Sequence, residues 1–183
     1  DMDSTMIEQE CIDELADAAG AGDAVKAITA RAMNGELEFE DALRERVAAL
    51  KDLPSGVIGE VIDTRISFMA GGRDLIATMR QNGAYCALVS GGFTHFTAYV
   101  GAELGFHEHQ ANELIITDNL LTGEVAAPIL GRDAKVAALQ RITGTFGFSR
   151  DEAMAVGDGA NDIPMRHTAG TVVALHAKPA VKQ

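Results

Sequence analysis

Tryptophan is absent, aromatic side chains make up only 5% of the 183 residues, and 15 basic side chains stand against 27 acidic ones. The resulting formal charge of −12 excludes a nucleic-acid backbone or an anionic membrane surface as partner, since both need clustered Lys and Arg. An anionic small molecule must instead be met locally, by a bound cation and a few placed basic groups. No run approaches the roughly 18 apolar residues that span a bilayer. The first residues also lack the basic-then-apolar layout of a secretory leader, so a cytoplasmic setting is expected. The only two cysteines, Cys11 and Cys86, sit in apolar surroundings without metal-site spacing, which predicts buried free thiols rather than a disulfide or a zinc site. The five histidines show no ligand spacing either. Repeats, low-complexity tracts and Ser/Pro linkers are missing, and the four prolines fall near expected element ends.

What the chain does contain is enough apolar material, 47% of residues, to bury a proper core. Short apolar runs at Tyr85–Val89, Ala153–Val156 and Thr171–Leu175 are each reached from a helix-like segment. This alternation predicts an α/β fold, a doubly wound, Rossmann-like parallel sheet. Covering helices are expected over Arg73–Asn82, Phe93–Leu104, Asp133–Thr143 and Asn161–His167, with Gly83 and Gly105 as stops. From Ile7 to about Thr64 the pattern is helical throughout, so residues 7–69 are read as a small helical-bundle cap inserted into a core made of 1–6 and 70–183. Leu114–Thr117 and Leu120–Val125 flank Asp118-Asn119 and read as a β-hairpin. Open α/β sheets hold ligands at the C-terminal ends of their strands, so a strand is expected upstream of the acidic Asp1-x-Asp3 cluster, and a further strand and helix after Gln183.

Four segments carry chemistry. Asp1-Met2-Asp3-Ser4-Thr5 puts two carboxylates at alternate positions, where both can face one site. A calcium loop of the EF-hand type would need Gly and Glu where Met6 and Ile12 stand. Ser90-Gly91-Gly92 follows an apolar strand and opens a helix, either as a plain turn or as an anion-binding one. Lys135 lies early in a predicted helix, and alone would be a solvated lysine. Gly157-Asp158-Gly159-Ala160-Asn161-Asp162 combines glycines for close backbone approach with more acids than a helix cap requires. On the segment Phe39–Leu50, Phe39, Leu43, Val47 and Leu50 share one stripe, and Arg46 falls within it. An inward guanidinium needs an anion, from an internal salt bridge or from a ligand carboxylate.

In their order and spacing these segments resemble the four motifs of the haloacid dehalogenase-like phosphatases. The resemblance implies that Asp1 is the nucleophile and Asp3 the general acid and base. It further implies Mg2+ held by Asp1, the Asp3 carbonyl and Asp158 with Asp162 beside them, and phosphoryl oxygens bound by Ser90, Gly91 and Lys135 with Asn161 nearby. Glu8-Gln9-Glu10, the Leu43–Pro54 pattern and Val89–Phe93 further resemble the phosphoserine-specific branch of that family. That branch implies Glu10 for a substrate ammonium, Arg46 for its carboxylate, and Met33 and Phe39 as an apolar wall. The expected partner is thus phosphoserine, as the last step of serine biosynthesis, and a homodimer is compatible with the sequence. A phosphatase or phosphotransferase for another small phosphorylated amino compound is the alternative, and a non-enzymatic sensor a third reading.

Overall fold

The computed structural model describes residues 1–34, 36–158 and 160–175; the side chains of Met33, Ala160, Asn161, Ile163 and Arg166 lie outside the described ones. The chain begins with a tight turn in which the Met2 carbonyl accepts from the amides of Thr5 and Met6. Four helices follow, α1 (Cys11–Ala18), α2 (Gly22–Met33), α3 (Phe39–Ala48) and α4 (Gly56–Arg65). Their apolar residues recur at helical spacing: α1 buries Cys11, Ile12, Leu15 and Ala16 on one side, while its acids Asp13 and Glu14 favour the first turn, where the helix dipole is positive. α1 packs on α2 and α4, and α2 on α3. The chain leaves this helical stretch where it entered: Glu8 N–H donates to Ser67 O (3.0 Å) and Met69 N–H to Met6 O (2.9 Å), with Ile7 and Phe68 bridged between them.

Beyond the neck come α5 (Gly72–Gln81), β1 (Ala87–Phe93), α6 (Thr94–Leu104) and β2 (Glu108–Asn112), with β1 and β2 parallel. Gly105 ends α6 in the left-handed region (φ +83°), as its position predicts. The hairpin β3 (Leu114–Thr117) and β4 (Leu120–Val125) turns at Asp118 and Asn119, both at positive φ, residue types that tolerate the left-handed region. Then follow α7 (Arg132–Phe146), β5 (Met154–Gly157), a 3-10 stretch over Ala160–His167, and β6 (Thr171–Ala174) parallel to β5.

Three expectations shift. The strand expected at 85–89 runs on through Ser90-Gly91-Gly92 to Phe93, and its register with β2 breaks between Val89 and Phe93, so the serine and glycines form a bulge rather than an inter-element turn. Helix α6 consequently starts one residue later than Phe93. The α-helix expected over 161–167 is a 3-10 stretch with Pro164 inside it, a residue that cannot donate to the preceding turn.

The fold is α/β with parallel strands. Among the described residues β1 pairs only with β2 and β5 only with β6, so the expected sheet consists here of two parallel pairs. Between them runs a groove of about 470 Å³, lined by Tyr85, Ala87, Leu139, Met154 and Val156 and reaching Asp1. The main core joins the helices to β1, with Leu15, Leu50, Leu88, Phe93 and Phe96 fully buried, and a smaller cluster of Ala153, Ala155, Met165 and Ala169 supports β5. No described helix is long and apolar enough to cross a membrane.

Candidate active site

The site lies at the C-terminal ends of β1 and β5, where a parallel arrangement leaves backbone groups and side chains free to face a ligand. Asp1 is fixed beside β5 by a backbone hydrogen bond to Val156 O (2.9 Å). Its carboxylate accepts from Met2 N–H (2.8 Å) and pairs with Lys135 Nζ (2.8 Å). Lys135, 3% exposed, also donates to Asp162 Oδ1 at 2.7 Å, so one ammonium bridges the first and last motifs. Burial lowers the Lys135 pKa, and the neighbouring carboxylates of Asp162, Asp158 and Asp3 oppose that fall.

Asp1, Asp158 and Asp162 each offer an oxygen, and these oxygens lie within 4.8 Å of one another. An all-carboxylate set of this kind suits a hard cation such as Mg2+ or Ca2+ rather than a thiolate- or imidazole-seeking metal. Gly157 makes the cluster compact, because a Cβ there would come 2.2 Å from the Asp162 carboxyl.

Asp3 points across the same space. Its Oδ1 accepts from Cys11 N–H at the start of α1 (2.9 Å) and its Oδ2 from Ser90 Oγ (3.3 Å), while Ser90 Oγ accepts from Gly92 N–H (2.9 Å). A Cβ on Gly92 would sit 2.6 Å from Asp3 Oδ2, so this bulge position requires glycine for space. Burial raises the Asp3 pKa, only partly offset by the donated hydrogen bonds of Cys11 and Ser90 and by Lys135. The same burial, with Asp3 adjacent, pushes the Cys11 thiol well above its usual range, which makes it an inert core group.

Of the residues expected to read a ligand's head, Glu10 receives Ser4 Oγ–H at 2.8 Å at the start of α1. Arg46 is partly buried on α3, with Nε donating to Ala42 O (3.2 Å). Burial lowers its pKa, against the charges of Asp13, Glu10 and Asp3, so these acids lie within its electrostatic reach. Leu43, Val47 and Leu50 of its predicted stripe are buried, although Leu50 lies just past the helix end. Phe39, 39% exposed, reaches over the bulge: a methyl group on Gly91 would lie 3.2 Å from its Cζ, and one on Gly131 3.3 Å from its Cδ1. The side chains of Met33 and Asn161 fall outside the described residues.

Asp1, Asp3, Ser90, Lys135, Asp158 and Asp162 are therefore gathered in one place, with Gly91 and Phe39 at its edge and Glu10 and Arg46 on the helical side. Sequence reasoning overlooked Asn112 and Gly131, which lie in no motif; a lone Asn closing the polar strand Glu108–Asn112 carries no signal of what it will bond.

The chain is 43% identical over its whole length to phosphoserine phosphatase SerB2 of Mycobacterium tuberculosis, covering 44% of that protein. It is 43% identical to phosphoserine phosphatase of Streptococcus thermophilus, covering all of this chain and 84% of the relative. The chain thus spans from less than half to most of the length of the curated relatives it matches. A substrate-bound phosphoserine phosphatase complex superposes with a TM-score of 0.92 at 41% identity, over 100% of this chain and 86% of that one. The model of the haloacid dehalogenase-like hydrolases matches residues 1–167, and the chain belongs to that family.

Proposed function

We propose that this chain is the catalytic part of a Mg2+-dependent phosphatase that hydrolyses O-phospho-L-serine to L-serine and phosphate. One observation carries the reading: two neighbouring carboxylates converge on one site with different partners, Asp1 ion-paired to Lys135 and Asp3 held by Cys11 N–H and Ser90 Oγ–H. A carboxylate held beside a cation suits a nucleophile, and a second acid whose pKa is raised by desolvation suits a proton donor. The likeness to named phosphoserine phosphatases at about 43% identity supports the substrate.

In this scheme an Asp1 carboxylate oxygen attacks phosphorus as the bond to the serine oxygen breaks, and Asp3 gives its proton to the departing alkoxide. Asp3 then takes a proton from water, the resulting hydroxide attacks the phosphorus of the aspartyl-phosphate, and phosphate leaves with Asp1 restored. Ser90, Gly91 and Lys135 hold the transferring oxygens, and Lys135 supplies positive charge where it builds in the transition state. Asp1, the Asp3 carbonyl and Asp158 would hold the cation with Asp162 beside them; a bound Mg2+ would supply charge neutralisation at the phosphoryl group. Asn161 contacts the phosphate in the same reading.

The amino-acid head faces the helices. Glu10 pairs with the ammonium and Arg46 with the carboxylate, while Met33 and Phe39 close an apolar wall that excludes water. We read residues 7–69 as the cap that carries these groups and 1–6 with 70–183 as the core; the paired neck at Ile7 and Phe68 supports that division.

Phosphate release from L-phosphoserine, D-phosphoserine, phosphothreonine and glycerol phosphate, each with Mg2+ and with EDTA, tests the reading. Mg2+-dependent preference for L-phosphoserine is expected. Equal rates on glycerol phosphate would discard the head-group receptor. Asp1→Asn should remove turnover, by about 10³-fold or more as for other covalent nucleophiles, with an unchanged circular dichroism spectrum.

A further inference from the structure

Asn112 ends β2 opposite Phe93 and is 2% exposed. Its side-chain amide makes three hydrogen bonds and none of them belongs to the sheet ladder. Nδ2 donates to Gly91 O (2.9 Å) and to Leu130 O (3.2 Å), and Oδ1 accepts from Leu130 N–H (2.7 Å). The reason lies in the bulge of β1, which lifts Gly91 out of register with β2 and leaves its carbonyl facing a side chain instead of a strand. Leu130 immediately precedes Gly131, the residue that leads into α7 and so toward Lys135.

One buried amide therefore ties the Ser90–Gly91 bulge to the entrance of the helix that carries Lys135. The same tie sets the distance between Gly91 and Gly131, the two positions on which the Phe39 ring rests. A Cβ on either would press on that ring, so the separation of the glycines fixes how closely the ring can approach the bulge.

We infer that Asn112 is a positioning residue: it holds Gly91 and the start of α7 in the one spacing at which Ser90, Gly91 and Lys135 meet the same phosphoryl group beneath Phe39. This rests on the phosphatase reading of the site. Two features separate the role from plain core packing. The amide joins two segments of the site that share no strand pairing, and all three of its bonds end on backbone, which an apolar residue of the same volume would leave unpartnered.

The test uses the full chain with Mg2+ and L-phosphoserine, at a temperature where circular dichroism shows each variant folded. Asn112→Asp keeps the shape and the bond from Leu130 N–H but sets an acceptor against two carbonyl oxygens; Asn112→Ala removes all three bonds. Both are expected to lower kcat by about tenfold or more with KM within about threefold, because misplacing groups around the reacting phosphorus costs the transition state more than ground-state binding. Arg46→Ala, as the contrast, should raise KM. Wild-type kcat in folded Asn112→Asp, even with a lowered melting temperature, would overturn the inference, and so would failure of this isosteric variant to fold, which would assign the residue to the fold alone. A wild-type chain that releases no phosphate would refute the phosphatase reading itself, an outcome distinct from active variants in an active background.

Discussion

Burial sets the chemistry of Asp3 against the stability of the fold. Its pKa is raised chiefly by desolvation, so the protonated form is the one the folded chain favours. For a carboxyl raised in this way, the stabilising contribution is fully present below the unfolded pKa of about 4 and is lost as pH rises through the folded value. At pH 7, above the unfolded value, the upward shift therefore costs stability. Asp3→Asn, measured in EDTA, should melt higher than wild type at pH 7, by about 2–4 °C for each kcal/mol relieved, and the gain should vanish near pH 4. A variant that melts lower at pH 7 would show that the Cys11 and Ser90 hydrogen bonds outweigh the burial. Gly92→Ala belongs to the same scale: its methyl group would collide with Asp3 Oδ2, and a loss of about 1–3 kcal/mol with loss of turnover is expected in urea unfolding and phosphate-release assays. These residues were legible in sequence because glycines beside acids announce close approach. Asn112 was not, since its partners lie 18 and 21 positions away and are backbone atoms, which no side-chain pattern encodes.

Element by element, the hairpin shows what periodicity can and cannot reach. Its strands and the Asp118-Asn119 turn follow from alternation and turn chemistry, and the structure has them at the expected residues. Its docking place does not follow. β4 attaches to the segment after α3: Asp52 N–H donates to Leu121 O (2.9 Å), Leu121 N–H to Leu53 O (2.8 Å), and Ser55 N–H to Asn119 O (2.8 Å). This seam ties α3, which carries Phe39 and Arg46, to the hairpin of the opposite segment, and it depends on Gly123. That residue has φ +80°, and a Cβ would meet Lys51 Cβ at 2.9 Å and Ala48 at 3.4 Å. Gly123→Val is expected to lose about 2–4 kcal/mol, combining a left-handed backbone penalty of about 1–2 kcal/mol with overpacking of similar size. Urea unfolding would show the loss, and KM for phosphoserine should rise as α3 loosens; an unchanged midpoint would mean that the seam contributes nothing. The stretch Ala160–His167 is 3-10 and not the expected regular helix for a local reason, because Pro164 has no N–H to donate to the turn before it.

At the scale of the whole molecule, a formal charge of −12 is a poor setting for an anionic ligand, and the site itself adds an acidic cluster. Three carboxylates, Asp1, Asp158 and Asp162, stand within 4.8 Å, and Lys135 pairs with Asp1 and Asp162, so when all are ionised the cluster carries two more negative charges than this ammonium offsets. Gathering like charges costs the folded state free energy that the unfolded chain avoids, so a divalent cation that binds only the folded cluster should stabilise the entire molecule. At Mg2+ about 100-fold above its Kd, linkage gives about 2.7 kcal/mol, which for a chain of this size is a rise in Tm of roughly 5–11 °C. NaCl at matched ionic strength screens the cluster without occupying it and should give a smaller shift. Asp158→Asn removes one of the charges that make the site attractive. In that variant the Mg2+-dependent rise should shrink toward the NaCl value, while the Tm without metal should increase because a repulsion has gone. A smaller Mg2+ shift combined with a higher metal-free Tm is what a cation site requires; if the metal-free Tm fell as well, Asp158 would be a structural carboxylate and the excess charge would be held by the fold unaided.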